Sequence, residues 1–425
     1  MQQPEVPAVP IDWRALVREG DQVVCSHMTS EPVMLLHSLA DAGLDFPFDV
    51  TLGVPFSPAA AALPSQVVLT TFGGMGSAGS MARNRTVRIS LTPYSRCGTA
   101  YAEKTERADV VLLSLARDPD GELWLGASHG YILEAARSAR TVVAEINAQS
   151  PCILGAPWPA DIKIHAVMET SYPLADLQER APDDIERQLA RNVAAIVGEG
   201  ACIQVGIGST PSAMLNALAG HRHLGLHSGM LSDGVLRLIQ SGALDNSRKP
   251  AGSHMAVTGC VYGGEALYRF CHLNPAVQLR APDYTHSAEV IAQHDDFVAI
   301  NSAIEVDLIG QVNAETIATQ QGAMRYVGGV GGLNDFIRAA RHSTRGQAIV
   351  ALPSRTGGTQ GRTRIVARLS GPATVAASDA DVVVTEHGVA RLRDATLDER
   401  VRRMLAIADP VDREELERRA REMLP

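Results

Sequence analysis

The chain has 425 residues, enough for two domains with ample core, and carries a formal net charge of −9, which argues against general nucleic-acid binding because that needs a basic face. Hydrophobic residues make up 45% of it but aromatic ones only 4%, the balance of an alanine- and valine-rich α/β enzyme. No apolar run reaches the roughly 18 residues of a membrane span, and no basic start leads into an apolar core, so neither a membrane span nor a signal peptide is expected.

Residues 1–10 are proline-rich and read as a disordered or docked arm. Asp12 opens a helix, Asp21 to Cys25 is a short buried strand, and Ser30-Glu31-Pro32 starts a second helix with proline where its missing N–H costs nothing. From Asp49 to Leu154 near-continuous apolar strands recur at Val50–Val54, Arg88–Leu91, Val110–Leu113 and Thr141–Glu145. Strands buried on both faces indicate a mostly parallel sheet. Phe72 to Gly79 is glycine-rich and reads equally as a binding loop or a surface turn. The six cysteines (Cys25, Cys97, Cys152, Cys202, Cys260, Cys271) lack paired spacing, so they read as free thiols of a cytoplasmic protein.

Ala181-Pro182-Asp183-Asp184 marks the change to an acidic helix start, with Asp suited to capping, and the expected domain boundary lies there: residues 1–181 and 182–425. Ala201–Val205 then runs through Gly206-Ile207-Gly208 into an apolar-periodic stretch from Pro211, a strand, glycine turn and helix. Such a turn aims backbone N–H groups and a helix dipole at an anion or an oxyanion. His227-Ser228-Gly229-Met230-Leu231-Ser232-Asp233-Gly234 follows a second short strand, and Gly329-Val330-Gly331-Gly332 follows later. Three strand-end loops could thus meet at one sheet edge, where open α/β sheets bind ligands. Further strands are expected at Val298–Asn301, Ala348–Leu352 and Val382–Thr385. Leu397 to Leu424 reads as a charged, solvated outer helix.

These motifs, with Ser232-Asp233-Gly234, Asn301-Ser302-Ala303-Ile304-Glu305-Val306-Asp307-Leu308 and Val384-Thr385-Glu386-His387-Gly388-Val389-Ala390, resemble the acetyl-CoA hydrolase/transferase family of class I CoA-transferases, over nearly the whole length. The resemblance implies two related open α/β domains with the site between them, and an acyl-CoA or related thioester as substrate. Coenzyme A enters as that substrate, a carboxylate or other small molecule is the acyl acceptor, and neither a metal nor a redox cofactor is implied. Nor is a nucleic-acid or membrane partner. The family suggests a homo-oligomer, a homodimer or homotetramer.

In that family a glutamate attacks the thioester and carries CoA as a glutamyl thioester, which keeps every intermediate activated. It sits in a His-Thr-Glu-Met-like segment, and the matching position here is Gly229, which has no side chain. A Tyr-Val-Asn-Asp-Pro-like segment of the family is matched by Tyr284-Thr285-His286-Ser287-Ala288, placing an imidazole where an amide is usual. Imidazole moves protons near neutral pH. His286, Glu305 and Ser228 are therefore the catalytic candidates, and Gly206, Ile207, Gly208, Gly229, Gly329, Gly331 and Gly332 the oxyanion or CoA-binding ones. Glu31, Glu265 and Glu386 are weaker carboxylates, and Cys260 reads as a buried thiol. Ser228 and His227 are neighbours on a strand and face opposite ways, so they cannot form a dyad. Without the glutamate, hydrolysis, decarboxylation or direct acyl transfer stays open. The alternatives are conventional CoA transfer through Glu305 and a non-catalytic CoA-binding subunit.

Overall fold

The computed structural model describes residues 11–82, 86–176, 180–206, 208–250, 253–319, 322–357 and 361–423. The proline-rich start, Ile207 of the glycine turn and Leu424 lie outside them. The chain is α/β and forms two compact units. One takes residues 1–178 with 231–233 and 255–285; the other takes 179–230, 234–254 and 286–425.

In the first unit the strand Gln22–Cys25 is flanked by parallel neighbours, Asp49–Gly53 on one side and Val110–Arg117 on the other. Val68–Thr71 and Val87–Ile89 extend the sheet beyond Asp49–Gly53; Thr141–Asn147 and Ala166–Thr170 extend it beyond Val110–Arg117. Helix Val33–Asp41 packs Leu35, Leu36 and Leu39 against this sheet, in one core with Val23, Val50, Leu69 and Leu112. Burying one such leucine contributes about 2 kcal/mol.

One residue breaks the apolar run of strand Thr141–Asn147. Glu145 is fully buried; its Oε2 accepts the N–H groups of Met34 (2.9 Å) and Leu35 (3.0 Å), while Oε1 takes the hydroxyls of Tyr172 and Thr170. Helix Val33–Asp41 has no capping side chain of its own, so Glu145 supplies its missing acceptor from the sheet. Burial pushes the Glu145 carboxyl up to about 7, against the opposing pull of those hydrogen bonds. The folded protein therefore holds this proton more tightly than the unfolded chain. The associated stability is full below the ordinary glutamate range and is lost as pH rises through about 7. Glu145→Gln keeps an acceptor and removes the titration. Urea unfolding at pH 5 and pH 8 is expected to show a variant lacking about 3 kcal/mol of the wild-type pH dependence; an unchanged pH dependence would assign that loss to other groups.

In the second unit the sheet runs Gly225–Ser228, Cys202–Val205, Phe297–Asn301, Gln347–Ala351 and Val382–Thr385, all parallel, and ends on the antiparallel Gly388–Arg391. The acidic stretch expected to start a helix does so at Asp183. Its side chain accepts the Glu186 N–H, Glu186 reaches back to the Asp183 N–H, and helix Asp184–Ala194 follows. The end of the chain differs from the single solvated helix expected. Two helices, Leu397–Ile407 and Arg413–Met423, are broken at Asp409-Pro410, where proline cannot continue the first. Met404, Ile407, Leu416 and Ala420 lie in the core with Phe297, Phe336 and Val383, so one stripe of this charged segment is structural.

Candidate functional site

The strand Cys202–Val205 lies between Gly225–Ser228 and Phe297–Asn301, so the strand order reverses beside it. Val205 and Asn301 end at this reversal. Gln204 and Asn301 exchange amide hydrogen bonds across it, at 2.8 and 3.2 Å. Gly206 comes next; a methyl there would stand 3.1 Å from the Asn301 Oδ1, so a side chain would crowd the amide pair. The Gly206 N–H donates to the Ile300 carbonyl at 2.9 Å, which removes it as an oxyanion donor and leaves it a position of close approach. Gly208 has φ +121°, in the glycine region, and sits at the N-cap of helix Ser209–Ala217. Ile207 lies outside the described residues.

The second strand-end loop carries Ser228 and Gly229. Ser228 is fully buried, and its Oγ bonds the Val205 carbonyl (3.4 Å) and accepts the Met230 N–H (3.2 Å). Its hydroxyl ties two strand ends together and points at no open space. His227 is also buried, but its ring packs beside His294 and Phe297. The two neighbours face opposite ways, as strand alternation requires.

Gly229 is met by His286. A methyl built on Gly229 would lie 3.1 Å from Cε1 and 3.2 Å from Nε2 of that imidazole, and 3.6 Å from Cε2 of Phe336. The ring of Phe336 packs against that of His286, with centroids 4.3 Å apart. A methyl built on Gly332 would overlap Nε2 and Cδ2 of the same imidazole. Gly332 is the N-cap of helix Leu333–His342, which opens without a side-chain cap. Gly331 before it has φ +51°. Three segments far apart in sequence thus converge: the end of strand Gly225–Ser228, the link between helices Pro282–Thr285 and Ala288–Ile291, and the N-terminus of helix Leu333–His342. An imidazole beside a helix N-terminus can move a proton while the positive end of the helix stabilises developing negative charge. Gly329 opens this loop, three residues before the helix cap.

Glu305 has other partners. It is buried, and its Oε1 accepts from Asn313 Nδ2 (2.9 Å), Ser370 N (2.6 Å) and Ser370 Oγ (2.8 Å). The weaker carboxylates are likewise engaged or exposed. Glu31 is buried and accepts Phe56 N, Ser57 N and Ser57 Oγ at 2.7–2.8 Å, and burial raises its carboxyl above the ordinary range. Glu265 is exposed on its helix beside Arg269. All six cysteines are free and buried. Cys260 lies 3.4 Å from the Thr29 hydroxyl, and burial pushes its thiol up, away from the reactive thiolate. Among the described residues one group could meet a cation, Glu386 with His387 and Asp409. Both Glu386 oxygens already accept from Ser354, at 2.6 and 2.8 Å, so the group is held as a structural clasp and carries no metal assignment.

Residues 263–420 match the acetyl-CoA hydrolase/transferase C-terminal domain. Over 334 residues, covering 77% of this chain and 76% of the other, the sequence is 38% identical to 4-hydroxybutyrate coenzyme A transferase of Clostridium kluyveri. The chain belongs to the acetyl-CoA hydrolase/transferase family. Solved structures of the same kind cover nearly all of it. The 4-hydroxybutyrate CoA-transferase of Porphyromonas gingivalis is 29% identical with a TM-score of 0.79, covering 97% of this chain and 96% of that one. RipA of Yersinia pestis is 26% identical with a TM-score of 0.86, covering 96% and 95%. The expected fold class and family are borne out, and the protein is an enzyme of the CoA-transferase and acetyl-CoA hydrolase kind. No helix among the described residues is long and apolar enough to cross a membrane.

Gly229, His286 and Gly332 stand out separately in the sequence. Phe336 closes the same stretch, residues 329–336, but its role beside the imidazole has no sequence signal beyond an aromatic one helical turn after Gly332.

Proposed function

We propose that this family member cleaves an acyl-CoA thioester by direct attack on its carbonyl, without a glutamyl-CoA intermediate. The observation that carries the reading is the imidazole of His286 packed against Gly229, the position matched to the family's nucleophilic glutamate. His286 takes the proton of water or of a small acceptor as its oxygen bonds to the acyl carbon. The carbon–sulfur bond then breaks and the same proton goes to the departing CoA thiolate. The N-terminal end of helix Leu333–His342, which opens at Gly332 beside the imidazole, turns the positive end of its dipole to the oxyanion in between. Gly206 and Gly208, lacking side chains, let the substrate come close to the main chain. Ser228 supports a strand end and takes no part in the chemistry.

Mass spectrometry of the protein mixed with a panel of acyl-CoAs in ¹⁸O-labelled water, with and without acetate, tests this. The expected result is free CoA and a singly labelled acid without acetate. Formation of acetyl-CoA only when acetate is present would mean conventional transfer through another carboxylate. Binding of every acyl-CoA without change would make the protein a non-catalytic CoA-binding subunit.

A further inference from the structure

We infer that Gly229, His286 and Gly332 form one steric unit that selects the route of thioester cleavage: the imidazole occupies the space a carboxylate chain at 229 would use, and Gly332 is the residue that admits the imidazole. The activity half of this inference rests on the reading above; the packing half does not. Each position alone has a bland explanation, since loops use glycine freely and buried histidines are common. Together they do not. The edge of the His286 ring carrying Cε1 and Nε2 faces the Gly229 Cα at a distance that already presses on a methyl. The edge carrying Nε2 and Cδ2 faces Gly332 so closely that a methyl would overlap it. Gly332 itself has φ −100°, a conformation open to any residue, so its lack of a side chain is set by the imidazole and not by the backbone. Phe336 packs on the imidazole, and Phe297 packs on Phe336 in turn, so the ring sits among aromatic neighbours as well as the two glycines.

A carboxylate at 229 and an imidazole at 286 therefore compete for one volume. With the imidazole in place, the proton-transfer route is available. With a glutamate there and a smaller residue at 286, the carboxylate oxygen can attack the acyl carbon and expel the CoA thiolate. The thiolate then attacks the glutamyl carbonyl and releases the acyl group as a carboxylate, and a second carboxylate takes CoA by the reverse steps. Gly332 and Phe336 are positioning residues in this scheme.

Two measurements on the full chain test it. In a thermal cycle, Gly332→Ala is expected to lower the melting temperature by several degrees when His286 is present and to have no such effect in the His286→Ala background. Equal losses in both backgrounds would overturn the packing claim. For the route, purified Gly229→Glu and Gly229→Glu/His286→Asn proteins are given acetyl-CoA and propionate. The double variant is expected to form propionyl-CoA at least roughly tenfold faster than the single one, as a nucleophile given room would. Equal rates, or none in either, would overturn the claim that this volume decides the route. If the wild-type protein leaves acyl-CoAs unchanged while the thermal cycle still shows coupling, the proposed function fails and the steric unit stands.

Discussion

Replacing His286 by Asn is expected to slow acyl-CoA cleavage by roughly 10²- to 10⁴-fold, the usual contribution of a positioned acid–base group. Asparagine is the informative choice. Its amide is smaller than the imidazole, so Gly229, Gly332 and Phe336 suffer no new contact, and it is polar, so burial alone does not unfold the loop. What it cannot do is take a proton. The loss should therefore fall on kcat with KM for the acyl-CoA nearly unchanged, as when an interaction made only in the transition state is removed. A variant that keeps its rate would remove His286 from the chemistry.

The sequence made the parts of this site legible but not their meeting. The strand–glycine–helix unit from Ala201 to Ala217 was readable because apolar periodicity changes at Gly206 and Gly208, and both features are local. The opposite facing of His227 and Ser228 follows from the pleat alone. The contact of His286 with Gly229 and Gly332 follows from none of these, because it depends on how three separate segments fold back on one another. A glycine chosen for its neighbour looks in sequence like one chosen for a turn. The same limit applies to residues 231–233 and 255–285, which group with the first unit although they follow a strand of the second. Glu145 shows the converse: periodicity correctly reads its strand as buried, but gives no warning that a carboxylate is buried with it and caps a helix more than a hundred residues earlier.

Glu305 is the residue where a conventional mechanism would have to find its carboxylate, and Glu305→Gln separates the two readings. The oxygen that matters structurally is Oε1, which collects the Asn313 amide and both the N–H and hydroxyl of Ser370. Glutamine presents a carbonyl oxygen in the same place. The protein should then fold normally and keep activity within a few-fold, since no proton or covalent bond depends on the charge. Glu305→Ala is a different experiment. It leaves the buried Asn313 amide short of an acceptor and frees the segment carrying Ser370, at a cost of about 1–3 kcal/mol. Urea unfolding measures that cost, and the rate should follow only as far as the loop is loosened. A nucleophile behaves otherwise: the glutamine variant would be as inactive as the alanine one, by roughly a thousandfold or more, while remaining fully stable. That pattern would return the chemistry to a carboxylate and leave His286 as packing. The paired measurements therefore show which side chain, the carboxyl at 305 or the imidazole at 286, stops the reaction when lost while sparing the fold.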